Sequence, residues 1–180
     1  MNLFLYDKIK DSDKQAFAYK LVSICDDLGI LPDWLMIVMY FESRLNPKAV
    51  NSTTGATGLI QFMPQTAKGL GTTVEALKAM TGTQQLDYVY KYFKQFKSGQ
   101  ISTLGDLYLS VFYPYALGKE DNYILGSQNG TQTQIYNANK IFDTNKDGVI
   151  SKQEIENYIV NFAKKNGYDV FTNQIKKKRL

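Results

Sequence analysis

The 180-residue chain contains no histidine, one cysteine and four prolines. The missing histidines exclude Ser-His-Asp and Cys-His nucleophilic catalysis, and any His-ligated zinc with them. The lone Cys25 forms no internal disulfide; in the apolar-patterned segment "AYKLVSICDDLGI" it is expected as a buried filler. No apolar run approaches the roughly 20 residues a transmembrane helix needs, so no membrane is expected as a partner. The opening "MNLFLYDKIK" offers a four-residue apolar patch, short of the h-region of a secretory signal. The expectation is therefore a chain made in a cytoplasm without a signal peptide. Chemistry must come from carboxylates, tyrosines, lysines or a bound metal.

What is present is ordinary for a globular protein: 44% apolar, 21% charged, net charge +4 with a basic end "IKKKRL". That balance suits an anionic wall polymer and gives no argument for nucleic acid. Apolar residues recur at three and four: Phe17, Leu21, Ile24 and Leu28 follow the capping residue Asp13 and end at Gly29. Pro32 opens a second helix through Leu45, closed by "NP" at 46–47. Residues 46–57 read as a loop, and "GLIQFMPQTAKGLG" as a short helix broken near Pro64. "TVEALKAM", "TQQLDYVYKYFKQFKSG" and "STLGDLYLSVFYPYALGK" are further helices, the last interrupted at Pro114. Residues 119–134 read as an exposed polar loop, followed by a helix–loop–helix from Gln134 to about Lys165. Alternating apolar and polar residues never persist, so the fold expected is all-α.

A carboxylate interrupts this pattern at one telling place. Trp34 to Phe41 are all apolar, and Glu42 follows on the stripe of Leu35 and Met39. Desolvation and the helix C-terminal dipole both disfavour its charged form, as a general acid working near neutrality requires. Arg44 and Lys48 pull the other way, and the competing reading is a surface pair with one of them.

The segment "ESRLNPKAV", followed after a small-residue loop by "GATGLIQFMPQTA", resembles the first two motifs of the lytic transglycosylase family, with its goose-type lysozyme-like fold. The resemblance covers roughly residues 15–140. It implies that Glu42 protonates the glycosidic oxygen between N-acetylmuramic acid and N-acetylglucosamine in peptidoglycan glycan strands. Glu42 then accepts the proton of the muramic C6 hydroxyl as that oxygen attacks C1 to form a 1,6-anhydro end. Ser43 orients the acid or binds the sugar. Gln61 suits N-acetyl groups, Met63 belongs to the same segment, and Gly58 allows close backbone approach or is a turn glycine. No Asp or Glu lies between Glu42 and Glu75, which leaves Asp87, Asp106, Glu120 and Asp121 as the open candidates for a second carboxylate brought from afar. The third motif departs from the family's Ala-Tyr-Asn pattern: Phe112, Tyr113 and Pro114 stand there, with Tyr113 as the binding residue, a variant associated with phage-type members. Tyr136 is the candidate for the later tyrosine that faces the acid.

Residues 143–154, "DTNKDGVISKQE", match an EF-hand calcium loop position by position. Asp143, Asn145, Asp147, the Val149 carbonyl, Ser151 and Glu154 are the candidate ligands, with Gly148 at the turn and Ile150 as apolar anchor. An Asp/Asn-rich turn is the plain alternative. Oxygen-only ligands select a hard cation, so Ca2+ in a structural role is expected. The organisation expected is a catalytic domain over 1–134 and an EF-hand-like appendage over 135–180, packed on it. The readings carried forward are a phage-encoded lytic transglycosylase, monomeric when free and with virion proteins as further partners, acting on the wall; a muramidase; and a non-catalytic calcium-dependent module.

Overall fold

The computed structural model describes residues 3–169, so the basic end read above lies outside the described residues. The chain divides into two compact units, Met1–Gly99 and Gln100–Leu180.

In the first unit, α1 (Lys14–Leu28) is capped as the sequence predicts: Asp13 Oδ1 accepts from Ala16 N at 2.8 Å, and Gly29 ends the helix at φ 68°. α2 (Pro32–Ser43) begins on its proline, and Trp34 through Met39 are all buried. A helix apolar on every side belongs in the centre of a unit. Burial also raises the Cys25 thiol pKa, leaving an inert filler as expected. α3 (Pro64–Gly69), α4 (Val74–Ala79) and α5 (Gly82–Phe93) follow; Thr81 and Gln84 make a reciprocal capping box on α5. α1 packs against both α2 and α5.

Two expectations for this unit are corrected. α2 stops at Ser43, before "NP", because Arg44 and Leu45 both take left-handed backbone at φ 55° and 56°. Residues 58–62 are not helical: Gly58 (φ 83°) and Gln61 (φ 54°) break the α conformation, and Thr57 pairs in a bridge with Phe62.

In the second unit, α6 (Leu104–Phe112) packs on α8 (Lys152–Lys165), with α7 (Thr133–Ala138) between them in sequence. Phe142 sits edge-on to Tyr158 at 4.9 Å and to Phe112 at 5.2 Å. The all-α expectation needs one addition, a two-stranded antiparallel sheet of β1 (Ile124–Ser127) and β2 (Val149–Ser151). The strands are too short for alternation to show in sequence, and β1 lies inside the segment read as exposed loop, with Leu125 and Gly126 buried. Lys152 anchors the same segment: its Nζ donates to the Lys119 carbonyl at 3.0 Å and pairs with Glu156 at 3.4 Å. These ties hold residues 119–127 to α8, so the expected boundary at 134/135 falls inside the second unit. Among the described residues no helix is long and apolar enough to cross a membrane.

Candidate active site

Glu42 occupies the last turn of α2, half-buried, and its carboxylate has no hydrogen bond or ion pair among the described residues. Burial pushes its pKa from an ordinary 4.5 up to about 7, and desolvation is the cause. The competing surface pair does not form. Arg44 turns its guanidinium over the Tyr40 ring, 4.8 Å from the centroid, while Lys48 is exposed. An uncompensated, partly dry carboxyl is a poor structural element and a good proton donor.

The loop after α2 is tied to the helix by Ser43, whose buried hydroxyl lies 2.9 Å from both the Met39 and the Leu59 carbonyls. Its hydrogen is therefore committed to backbone, and Ser43 serves to position Glu42 against the second motif. Gln61 Nε2 donates to the carbonyls of Gly58 (3.1 Å) and Ala49 (3.4 Å), leaving Oε1 open as an acceptor. Met63, 46% exposed, offers an apolar face that is otherwise costly to leave in water.

One residue escaped the sequence reading. Gln85 is fully buried on α5: Nε2 donates to the Pro47 (2.6 Å) and Leu77 (2.7 Å) carbonyls, and Oε1 accepts from Leu59 N at 3.0 Å. The available signal was a polar residue four before Val89 and eight before Phe93, on the buried stripe of the helix. Gly58 is explained by the same side chain, since a Cβ there would collide with Gln85 Oε1 and its φ is 83°. Gln85→Leu strands three buried backbone groups, each costing about 1–3 kcal/mol. The expected result is a loss of roughly 3 kcal/mol or more in denaturant unfolding, against an unchanged value if the amide is incidental.

The remaining predicted residues belong to the second unit. The Tyr113 hydroxyl donates to Gln132 Oε1 at 2.9 Å. Tyr136 is buried and donates to Asp143 Oδ2 at 2.8 Å. Asp106 is occupied as the capping-box partner of Thr103, and Asp121 lies 3.6 Å from Lys152 Nζ; in the first unit, Asp87 pairs with Lys20 at 2.8 Å. No carboxylate appears among the groups acting on Glu42.

In the 143–154 loop, Asp143 accepts from Asp147 N and Gly148 N, both at 3.1 Å, and Asn145 Oδ1 accepts from Asp147 N at 2.9 Å. Asp147 Oδ1 accepts from Val149 N at 2.9 Å. Glu154 accepts from Thr144 N and Ser151 N, both at 3.0 Å, and Ser151 caps α8. No three His, Cys, Asp or Glu side chains gather as a metal-holding group among the described residues.

A half-buried acid poised near pH 7, held at a helix end against a loop with one open amide acceptor, can transfer a proton to a neutral oxygen of a polar substrate. Residues 25–113 match the family described as Transglycosylase SLT domain. No curated protein matches the chain. Glu42, Ser43, Gly58, Gln61, Met63 and Tyr113 all fall within the matched span. Residues 25–113 thus carry a match to the transglycosylase SLT domain, which indicates a lytic transglycosylase, a lyase acting on peptidoglycan.

Proposed function

We propose that the enzyme cleaves the bond between N-acetylmuramic acid and N-acetylglucosamine without water, using Glu42 for both proton transfers. Protonated Glu42 donates to the glycosidic oxygen as the C1–O bond breaks. The resulting carboxylate accepts the proton of the muramic C6 hydroxyl while O6 bonds to C1, giving a 1,6-anhydro end and regenerating the acid. The observation that carries this reading is the isolation of Glu42: it is desolvated, and among the described residues it has no hydrogen-bonded partner and no second carboxylate acting on it. A muramidase normally uses such a second group to hold the attacking water. Mass spectrometry of products from purified walls tests the proposal. Anhydromuramic ends, one water lighter than reducing ends, are expected; dominant reducing ends would establish a hydrolase.

We further propose that the 143–154 loop holds a structural calcium ion. The donor set is all oxygen, from Asp143, Asn145, Asp147, Ser151, Glu154 and the Val149 carbonyl, with Gly148 turning at φ 85°. A hard cation there would offset the repulsion among three carboxylates, and proton transfer by Glu42 needs no Lewis acid. Saturating Ca2+ at about a hundred times its dissociation constant stabilises by about 3 kcal/mol. Chelator should lower the melting temperature of metal-loaded protein by several degrees while activity at low temperature persists. Asp143→Ala with Glu154→Ala should reproduce that loss, and an unchanged melting temperature in chelator defeats the proposal. The Phe112-Tyr113-Pro114 variant of the third motif supports a phage-encoded enzyme, made in the host cytoplasm and used on the wall for penetration or lysis.

A further inference from the structure

Gln132 is a glutamine in left-handed backbone, φ 54° and ψ 41°, a conformation uncommon for residues other than Gly, Asn and Asp. Its side chain is fixed rather than free to turn. The Tyr113 hydroxyl donates to Gln132 Oε1 at 2.9 Å. That bond engages the amide oxygen and leaves both Nε2 hydrogens without a protein partner among the described residues, on an exposed side chain. Gln132 also lines an open cavity of about 380 Å³ with Thr133, Gln134 and Ile135. Beside this cluster stands Tyr115, 80% exposed, its ring centroid 6.0 Å from that of Tyr113.

Exposed aromatic rings with a few oriented polar groups suit ligands that are apolar on one face and hydrogen-bonding at the edge. A pyranose ring has that character, and an N-acetyl substituent presents a carbonyl oxygen in need of a donor. Nothing in the packing of the second unit requires Tyr115 to be a large aromatic, since it is mostly in water. The Nε2 of Gln132, without a partner among the described residues, is open to a ligand in the same way.

We propose that Tyr115 and Gln132, both beside Tyr113, form a saccharide-binding subsite on the second unit, taking an N-acetylated residue of the β-1,4-linked glycan strand. A sugar face lies on the tyrosine rings, and Gln132 Nε2 donates to the N-acetyl carbonyl. This rests on peptidoglycan glycan being the substrate and extends recognition past Tyr113.

The test uses the full chain carrying Glu42→Gln, so that binding is read without turnover. The β-1,4-linked tetramer of N-acetylglucosamine should shift the side-chain amide resonance of Gln132, identified by its loss in Gln132→Glu. The de-acetylated tetramer should leave it unmoved. Affinity for soluble glycan strands should fall at least fivefold in Gln132→Glu and in Tyr115→Ala, the latter exposed enough to leave the melting temperature in place. A Gln132 resonance unmoved by saturating tetramer, or both variants binding within twofold of the parent, overturns the subsite. The reaction reading fails separately: walls treated with the Glu42 parent would then release no anhydro ends, whatever Gln132 and Tyr115 do to binding.

Discussion

Glu42→Gln is expected to abolish wall cleavage while leaving the fold intact. The carboxylate makes no hydrogen bond or ion pair among the described residues, so an isosteric amide removes the proton and little else. A positioned general acid contributes about 10²- to 10⁴-fold, and here the same group acts twice, as acid and then as base. No histidine exists to take over, and among the described residues no carboxylate acts on Glu42. Turbidity clearing of purified walls, with circular dichroism to verify folding, reads the outcome. A folded variant that retains more than a few per cent of parent activity would show that another residue is the essential acid. Ser43→Ala should differ in kind: loss of the Met39 and Leu59 contacts loosens the acid's seat, lowering turnover by a smaller factor.

The second expectation follows from the pKa of about 7 on Glu42. Cleavage begins from the protonated form, so kcat/KM should be level at low pH and fall tenfold per unit above about 7, roughly a hundredfold by pH 9. Stability carries the same signature. The folded-state pKa lies above the ordinary 4.5, so the folded state binds more protons than the unfolded chain between those values. This contribution to stability is fully present below about 4.5 and is lost as pH rises through about 7. At about 1.4 kcal/mol per pH unit the cost reaches on the order of 3 kcal/mol above neutrality, less where water reaches the carboxylate. Glu42→Gln should therefore be more stable than the parent at pH 8 and no more stable at pH 4. Urea unfolding at the two pH values checks it. Equal stabilities at pH 8 would mean that the carboxylate is well solvated and that the acid needs another source for its raised pKa.

The acid and its helix were legible in sequence because their causes are local. Eight apolar residues followed by Glu42 make a buried helix with one misplaced charge, and Asp13, Gly29 and Pro32 mark ends through their own side chains or ring. Helical periodicity identified the stripes of α1 and α5 for the same reason. What the sequence could not decide was how committed each polar group is. Ser43, Gln61 and Gln85 are all hydrogen-bonding residues near the motif, but only the tertiary structure spends the Ser43 hydroxyl on Leu59, leaves one acceptor of Gln61 open, and buries Gln85 as the node between residues 47, 59 and 77. The end of α2 likewise came from Arg44 and Leu45 turning left-handed, a conformation neither residue prefers locally. The pairing of Ile124–Ser127 with Val149–Ser151, across more than twenty residues, left no period to read. A hydrogen bond between residues distant in sequence depends on where the chain brings both partners, and that is settled by packing rather than by either residue alone.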